Sequence, residues 1–462
     1  MKKRVLCYTL LFIFSLSSYS QTTKNCKSVH ALPIIEKGIK LVDSTEFDEA
    51  IILFTSVPIG DSLYARAQYE LAYAYSKMQK YDETVKICQY LIHHPDQYIN
   101  SSLVEILLAN SYSDLNNFEK ALEIYDLGIQ QYHYNNQLHF NKGIVFMKMK
   151  DYDQAIACFE KAVFCCPAHQ GSHYRLGLAY LQKGYTIPGI LALNYAALLR
   201  PNSEYAINAL QTIDAIYAEG INTYHANIPI SDETAEKNAK YKKIMTLIQA
   251  NFALNKQYKI KSKINHILAK QNQLLFEMVE PIDSYELVDR LYIPYFKSVL
   301  QDNSYNTFSY FLMSGTHIEN GKVKEKAMKM QKEISIFVDK MKKNLDETIA
   351  KGVCVNNKEQ YTYFYDNQYN LSAFGKVEID GKGNKSRNGQ WCYLKSSGAL
   401  SEIGNFVDNQ QHGLFTIYNG RGNITQEVPW KNGKIEGLGK TYYIGQTSQE
   451  KPLEMEIEYV DG

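Results

Sequence analysis

Residues able to do acid–base chemistry are scattered along the 462-residue chain. One acidic group, Asp283, Glu286 and Asp289, has the spacing of three that places side chains on one face of a helix. A pair of carboxylates can serve as acid and base in glycoside hydrolysis, and the two need not be close in sequence. Ordinary amphipathic helices produce the same spacing. Two interpretations therefore remain open, a hydrolase site within residues 240–350 and a solvated helix face.

Motifs of other reaction types are missing from the sequence. It contains no HExxH, no G-x-S-x-G, no C-x-x-C and no glycine-rich loop between a strand and a helix. His139 and His173 recur at the same place in successive helical units, which favours core-edge packing over ligand binding. The cysteines lack the close pairs of a zinc site, and an odd number remains after the N-terminal segment, so we expect inert thiols. We predict no cofactor and no metal.

The overall charge gives no reason to expect a nucleic-acid partner. Fifty basic residues stand against forty-nine acidic ones. A balance this close to zero supplies no bulk attraction for a polyanion or an anionic membrane. We therefore predict partners other than nucleic acid.

The first twenty residues predict a secretory signal peptide, at 1–20. A basic start precedes an apolar run from Val5 to Leu16, and small residues precede Gln21. The run is shorter than the roughly 20 residues that a transmembrane helix needs. We predict export across the inner membrane without a transmembrane span, and a mature protein in the periplasm or at the outer envelope.

A small residue follows an aromatic-acidic turn five times at a nearly constant spacing. These residues are Ala50, Thr84, Ala121, Ala155 and Gly189, separated by 34, 37, 34 and 34 positions. A period of this length is typical of units built from two antiparallel helices. Each unit buries its apolar face only by stacking on the next one. The spacing therefore predicts an α-solenoid.

The pattern within each unit resembles the tetratricopeptide (TPR) repeat. In one unit, Tyr152 precedes Ala155 by three residues, Phe159 follows it by four, and Pro167 ends the second helix. The resemblance implies an all-α TPR solenoid over residues 31–220, with about five repeats and a capping helix.

TPR proteins use the first helix of each pair to line a concave surface, and the resemblance places ten residues of this chain there. They are Tyr69, Tyr73, Lys77, Ile106, Asn110, Phe140, Ile144, Lys148, Tyr174 and Leu178. Aromatic side chains with a few polar groups suit a peptide held by apolar anchors and oriented by hydrogen bonds. The alternative is that this face packs against residues 240–350.

Residues 235–350 have helical spacing but no 34-residue register. Apolar residues step by three and four from Ala327 to Leu345. Acidic residues intersperse the lysine-rich opposite face, which favours a solvated surface. The polar segment Asn222–Ala239 before this region predicts a linker.

The pattern changes to strands and turns in residues 360–462. Glycines recur at a spacing of 24, at Gly389, Gly413 and Gly437 and again at Gly398 and Gly422. Turns such as Asn432-Gly433 supply the positive φ of a tight hairpin. Aromatic residues alternate with polar ones between the turns. The sequence predicts a stack of antiparallel β-hairpins.

The hairpin units resemble MORN repeats with a longer period. The matching segments are His412–Tyr418 and Asn432–Gly437. The resemblance implies an elongated stack, with roles that range from lipid contact to protein scaffolding. Trp391, Phe415 and Trp430 are candidate contact residues, and the alternative places them in the core of the stack.

Together these features predict a multi-domain α + β protein with a TPR solenoid, a helical middle region and MORN-like β-hairpin repeats. We expect a secreted, non-enzymatic scaffold of the bacterial envelope that binds a protein or peptide partner in the groove. The MORN-like domain would add a second contact surface. The alternatives are an envelope hydrolase with its site in residues 240–350, and lipid or glycan contact through the β repeats.

Overall fold

A computed structural model describes most of the chain, and every structural statement below refers to the residues it describes. These are 31–94, 102–221, 231–264, 266–281, 287–301, 303–314, 321–352, 361–382, 384–420, 422–442 and 453–460. The signal peptide expected at 1–20 lies outside them.

The first part of the chain is an array of antiparallel helices in which each helix packs on the next. The helices are α1 Ala31–Asp43, α2 Phe47–Thr55, α3 Tyr64–Lys77, α4 Tyr81–His93, α5 Leu103–Asp114, α6 Phe118–Gln131, α7 Asn136–Met149, α8 Tyr152–Cys165, α9 Gln170–Gln182, α10 Thr186–Leu199 and α11 Glu204–Glu219. This confirms the helical repeat architecture that the 34-residue period predicts.

Glycine and an aromatic ring set the distance between the two helices of a pair. A Cβ atom placed on Gly143 would lie 2.6 Å from the ring of Phe159, and one on Gly38 would lie 2.4 Å from the ring of Phe54. Both phenylalanines are fully buried. The small residues therefore let a large ring fill the space between two helix backbones.

Each helix pair turns at a residue with positive φ, a feature that the sequence analysis did not identify. These residues are Thr45, Gln79, Asn116, Lys150 and Gly184, with φ between 59° and 86°. Their spacing repeats the 34, 37, 34, 34 series of the small residues. Polar residues and glycine tolerate this conformation better than β-branched apolar ones, although Thr45 is itself branched. One turn geometry therefore recurs through the array.

A second group of helices follows. They are α12 Asp232–Ala239, α13 Lys242–Gln249, a 3-10 turn Phe252–Leu254, α14 Ile267–Met278, a π-helical turn Val288–Tyr292, α15 Ile293–Gln301, α16 Tyr305–Ser314, α17 Gly321–Lys329 and α18 Gln331–Gly352. The apolar stripe that begins at Ala327 spans two helices that meet at Met330.

The linker predicted over Asn222–Ala239 is wrong for its second half, which forms α12. Ser231 caps this helix by accepting a hydrogen bond from the Thr234 amide, and Thr234 is buried. The Asn238 side chain donates to the carbonyl of Gly184 at 2.9 Å. The Ser231 cap stabilises the helix, and the Asn238 hydrogen bond attaches it to the array, although the segment is polar.

The middle helices and the end of the array share one apolar core. Every residue of α10 from Thr186 to Leu198 is buried, because α9, α11 and the π-helical turn pack around it. The helix α11 buries Ile213 and Tyr217 in the same cluster as Leu275 of α14. The core therefore continues past the last repeat.

Three consecutive buried amides on α14 connect elements from three directions. Gln271 donates to the carbonyl of Ile248 at 3.2 Å, and Gln273 donates to that of Lys259 at 3.0 Å. Asn272 donates to the side-chain oxygen of Asn194 on α10 at 2.7 Å. Buried polar groups that find partners fix a unique arrangement of the helices they join.

The C-terminal part is one antiparallel sheet. Its strands are β1 Tyr361–Tyr365, β2 Leu371–Ile379, β3 Lys385–Leu394, β4 Leu400–Val407, β5 Gln410–Tyr418, β6 Ile424–Lys431, β7 Lys434–Ile435, β8 Gly437–Tyr442 and β9 Leu453–Tyr459. The order is β1-β2-β3-β4-β5-β6-β8-β9, with β7 paired to β6. Sequential hairpins therefore build the sheet, as the sequence predicts.

The periodic glycines occupy equivalent backbone positions in the sheet. Gly389, Gly413 and Gly437 have φ of 83°, 80° and 115°, and Gly398 and Gly422 have 79° and 78°. Two-residue turns at the opposite strand ends also have positive φ, at Asp408 and Asn409 and at Asn432 and Gly433. The 24-residue period is thus a repeat of backbone geometry, since glycine adopts these angles without a Cβ penalty.

The first hairpin packs against the end of α8. The Tyr365 hydroxyl donates to the carbonyl of Phe164 at 3.2 Å, and the rings of Phe164 and Tyr363 meet edge to face at 5.3 Å. The large core cluster includes Tyr363 and Leu371. The start of the sheet is therefore part of the helical core.

The second hairpin packs against the loop between α6 and α7. The Tyr134 amide donates to the carbonyl of Gly398 at 3.1 Å, and the Asn135 side chain donates to that of Ser397 at 2.9 Å. A Cβ atom on Gly398 would lie 2.3 Å from the Asn135 backbone nitrogen. The first and second hairpins thus contact two different places along the helical array.

None of the described helices is both long enough and apolar enough to cross a membrane. The described cysteines, Cys88, Cys158, Cys165, Cys166 and Cys392, are free thiols, and burial raises the pKa of each.

Candidate functional site

The first helices of successive pairs form a continuous layer. The helices α1, α3, α5, α7, α9 and α11 contact one another in order, more closely than the second helices contact each other. A stack whose units approach more closely on one side curves toward that side. The layer of first helices is therefore the inner, concave surface, which we call the groove.

Most of the predicted groove residues are partly accessible in the structure. Tyr69, Tyr73, Asn110, Phe140, Ile144, Tyr174 and Leu178 are half-buried, and Lys77 and Lys148 are exposed. Ile106 is the exception: it retains only 9% of its exposure and packs with Tyr125 and Leu138 in an inter-helix cluster. Its assignment to the groove surface was wrong because α5 turns this position into the space between the repeats.

At the N-terminal end, α3 presents two tyrosines and a lysine. Tyr69 packs against a cluster that includes Cys88 and Leu91, and burial together with Glu70 raises its pKa, so its hydroxyl keeps its proton. The Lys77 ammonium lies 5.0 Å from the centre of the Tyr73 ring. This end of the groove offers aromatic surface, hydroxyl donors and one cation.

In the middle of the groove, polar groups bond to each other. The Tyr125 hydroxyl donates to Asn110 Oδ1 at 2.5 Å. The Lys148 ammonium lies 2.7 Å from Asp114 and 3.0 Å from the Ser113 hydroxyl. Asp114, which the sequence analysis missed, partly neutralises Lys148. The lysine and Asp114 are each exposed by about two fifths, so the pair is accessible and weakly coupled.

At the C-terminal end, α7 and α9 form an apolar patch. The Phe140 ring lies 5.0 Å from that of His169, and the Tyr174 ring lies 5.2 Å from that of Tyr205 on α11. The Arg175 guanidinium lies 5.7 Å from the centre of the Tyr174 ring. The sequence did not identify Tyr205 and Arg175 as residues of this patch. Tyr205 contacts Tyr174 only because α11 packs against α9.

The two histidines predicted to pack at the core edge are buried. The His173 ring nitrogens lie 2.8 Å from the Tyr292 hydroxyl and 2.7 Å from the Pro167 carbonyl, and burial lowers the pKa of this residue to about 3. His139 lies 3.0 Å from the carbonyl of His133, and burial lowers its pKa to about 4. Both imidazoles are neutral structural groups near neutral pH.

Residues 240–350 contact the array at its C-terminal end. The contacts run through α10 and α11, and through the hydrogen bond between Tyr292 and His173 of α9. Tyr174 and Leu178 stay half-buried beside this contact. The middle helices therefore extend the array, and they leave these groove side chains accessible.

Two of the three aromatic residues proposed as contacts of the β region are interior. Trp391 and Phe415 retain 2% and 0% of their exposure. Trp391 covers Gly375 of the neighbouring strand, where a Cβ atom would lie 2.4 Å from the indole. A contact role is wrong for these two residues, because the sheet's own glycines receive the rings. Trp430 is half-exposed at the end of the row.

The middle region contains an open cavity of about 620 Å³ beside the segment Gln257–Lys261. Its lining includes one carboxylate, Glu277, whose oxygens accept hydrogen bonds from Tyr258 at 2.5 Å and Gln273 at 2.9 Å. Asp283 and Glu286 lie outside the described residues. Asp289 is buried, 3.7 Å from the Lys240 ammonium.

A metal centre is likewise not formed by the described side chains. Among them, no three His, Cys, Asp or Glu residues gather closely enough to hold an ion.

Models of the tetratricopeptide repeat family match the chain over residues 66–96 and 137–169. These segments coincide with α3–α4 and α7–α8 and carry six of the groove residues. The chain therefore contains tetratricopeptide repeats. No curated protein sequence matches it significantly.

Several solved structures of TPR proteins are similar to part of this chain. A thermophilic TPR protein of Thermus thermophilus is 16% identical, over 40% of this chain and 98% of its own, with a TM-score of 0.35. YrrB, described as a TPR protein with an unusual peptide-binding site, is 19% identical over 39% and 92%, with a TM-score of 0.29. MamA of AMB-1 is 19% identical over 38% and 93%, with a TM-score of 0.28.

Proposed function

We propose that this protein is a non-enzymatic scaffold that binds an extended or helical segment of a partner protein in the TPR groove. The observation that carries the proposal is the row of half-buried aromatic and aliphatic side chains along α3, α7 and α9. Side chains of this kind serve as anchoring surface when they remain partly accessible on a rigid element. The repeat array supplies that rigidity through its buried inter-helix rings.

The two ends of the groove suit different parts of a ligand. The α3 end supplies tyrosine hydroxyls and the Lys77 ammonium, which orient polar or acidic groups. The α7–α9 end supplies Phe140, Ile144 and Leu178, which suit apolar anchors. A segment with an apolar and a polar or acidic half would therefore bind in one direction.

We place this scaffold in the bacterial envelope, on the basis of the basic and apolar N-terminal segment at 1–20. A fusion of that segment to a reporter that is active only after export provides the test. Loss of export on replacing Leu10 and Leu11 by Arg is expected. Reporter activity that survives this change would contradict the location.

We further propose that the MORN-like sheet is a second contact surface. Its first two hairpins contact the TPR array at Phe164 and at Tyr134, which fixes the sheet relative to the helices. Two surfaces held on one rigid frame raise the effective concentration of a partner that touches both.

A catalytic step is not part of the proposal. Among the described residues that line the cavity beside Tyr258 there is a single carboxylate, and the Tyr258 and Gln273 side chains bond to it. A hydrolase of the two-carboxylate type requires a second acid facing the first across the substrate. This geometry does not favour a hydrolase in that cavity.

The groove is tested with peptides selected on the purified protein from a random peptide library. Affinities are then measured by fluorescence anisotropy for the variants Tyr69→Ala, Phe140→Ala and Tyr174→Ala. Each should weaken binding about tenfold, because an aromatic anchor contributes on the order of 1–2 kcal/mol. Tyr75→Ala, on α3 but outside the groove set, is the matched control and should bind as the parent does. Unchanged binding by all three variants, with an intact circular dichroism spectrum, would refute the groove assignment.

A further inference from the structure

The two edge strands of the β-sheet differ in their contacts with the helices. At one end β1 packs against α18 and contributes Tyr363 to the large core. At the other end lies β9, the last strand in the sheet order. Its residues from Leu453 to Glu456 are all exposed. One edge of the sheet is therefore covered by helices, while β9 is an open edge among the described residues.

The side chains of β9 alternate strictly in chemistry. Met455, Ile457 and Tyr459 point to one face of the sheet, and Glu456 and Glu458 point to the other, because neighbouring residues of a regular strand face opposite ways. The register with β8 shifts between Met455 and Leu453, which leaves Glu454 as an extra residue at a bulge. The apolar row remains accessible at Met455, which keeps 50% of full exposure. The single basic neighbour opposite the acidic row is Lys440, which pairs with Glu456.

This edge disfavours pairing with its own copy. In an antiparallel pair of two β9 strands centred on Glu456, glutamates would lie directly opposite glutamates. Like charges directly opposite on neighbouring strands are destabilising. Charged residues on an edge strand protect it against self-pairing in this way. A strand with basic residues at alternate positions meets no such repulsion.

We propose that β9 accepts one added strand from a partner protein, in which Lys or Arg alternates with apolar residues. The basic side chains would lie opposite Glu456 and Glu458, and the apolar ones would extend the row of Met455, Ile457 and Tyr459. Backbone hydrogen bonds along the edge provide affinity, and the alternating side chains provide register. The inference rests on the proposal that the sheet is a second contact surface, and it names the partner chemistry.

A basic segment of this chain has the matching pattern but is already engaged. In Tyr258–Ile264, three lysines alternate with other residues. The amides of Lys261 and Lys263 donate to Gln273 and Asn306, at 2.6 and 2.8 Å. Ile264 retains only 4% of its exposure. Since side chains of α14 and α16 hold this backbone, the occupant of β9 is a different protein.

The test uses the full chain and a probe peptide in which lysine alternates with isoleucine or valine. Two N-methylated versions of the probe remove the amide protons of odd or of even residues. Because an added strand directs alternate amides toward β9, one version should lose binding and the other should retain it. Equal binding of both would show attraction to charge alone and overturn the proposal.

Charge reversal identifies the edge. Glu456→Lys should weaken probe binding about tenfold, because attraction becomes repulsion at the centre of the row. Glu378→Lys, an equally exposed change on β2, is the matched control and should leave binding unchanged. Equal affinity of the Glu456→Lys variant and the parent would overturn the proposal.

Self-association is the remaining outcome. Light scattering measures this outcome. If the parent chain forms concentration-dependent oligomers and both Glu456→Lys and Lys261→Glu abolish them, the edge binds a second copy of this chain. That result would overturn the partner proposed here. Failure of the groove proposal is distinguishable, since Tyr69→Ala should keep full binding of the basic probe.

Discussion

The two halves of the helical array follow the same repeat but have different surroundings. In the N-terminal half, α1 to α7, the core consists of small clusters that each join neighbouring helices, and one of them also includes Ala399 of the sheet. In the C-terminal half, α8 to α11, the core is one cluster that includes the middle helices and the first hairpin of the sheet. Identical repeat positions therefore belong to modular packing in one half and to a shared core in the other.

The difference shows how one repeat array can have accessible repeats at one end and repeats packed on other domains at the other end. Repeat units contact only their neighbours, so an uncovered array opens from its end with little cooperativity. Packing on additional elements makes the last units depend on distant parts of the chain. In the first half, the side chains of Tyr69 and Tyr73 remain partly accessible. The second half packs against the middle helices and the sheet.

The largest expected effect compares two phenylalanines at the same repeat position. Phe54 and Phe159 each follow the small residue by four positions and are fully buried. Replacement of either by Ala should cost about 3–5 kcal/mol. Phe159→Ala should lower the global stability, while Phe54→Ala should open only the first helices. Hydrogen exchange resolves the two, and equally global unfolding in both would remove the distinction between the halves.

The next effect concerns the buried amides that join the array to the middle helices. Asn272 donates to Asn194 at 2.7 Å and accepts from the Tyr217 hydroxyl at 2.8 Å. Asn272→Ala leaves both partners buried without this bond, which should cost about 3 kcal/mol. Urea denaturation measures it. The control Asn110→Ala breaks a single bond to Tyr125 in the more open half and should cost about 1 kcal/mol; equal losses would contradict the comparison.

Two matched glycines test the contact between the second hairpin and the helices. Gly398 and Gly422 have φ of 79° and 78°, but only at Gly398 would a Cβ atom meet the Asn135 backbone, at 2.3 Å. Gly422→Ala should cost about 1 kcal/mol of backbone strain, and Gly398→Ala about 2–3 kcal/mol with separation of the hairpin from the helices. Limited proteolysis and small-angle scattering check this; the same compact shape in both variants would refute the contact.

The smallest effect concerns acid stability. Burial lowers the pKa of His173 to about 3, whereas an unfolded histidine titrates near 6.5. Between these values the unfolded chain binds a proton that the folded chain does not. Stability contributed by the neutral imidazole is therefore full above pH 6.5 and declines as the pH falls toward 3, by about 2 kcal/mol at pH 5.

His173→Gln provides the measurement for that effect. The glutamine has no titrating group, so the loss of stability between pH 7 and pH 5 should be smaller by about 2 kcal/mol than in the parent chain. Comparing the pH dependence, instead of the absolute stability, separates titration from the lost hydrogen bond to Tyr292. Parallel pH profiles would contradict the role of this residue.

The sequence by itself determined the two repeat periods and the order of helices and hairpins. Helix pairing and hairpin geometry are local: small residues such as Gly143, rings such as Phe159 and turn glycines such as Gly413 act within one unit or between neighbours. Such constraints leave periodic marks, which is why the helical repeats, the hairpin sheet and the accessible positions Tyr69, Phe140 and Tyr174 were predictable.

Only the tertiary structure decided what covers each repeat. The burial of α10, the three amides of α14, the pairing of Lys148 with Asp114 and the placement of Trp391 over Gly375 all join residues from different units or domains. No period records such contacts, because each occurs once and depends on elements far apart in the chain. The same reason leaves β9 recognisable as an open edge only when the order of the whole sheet is known.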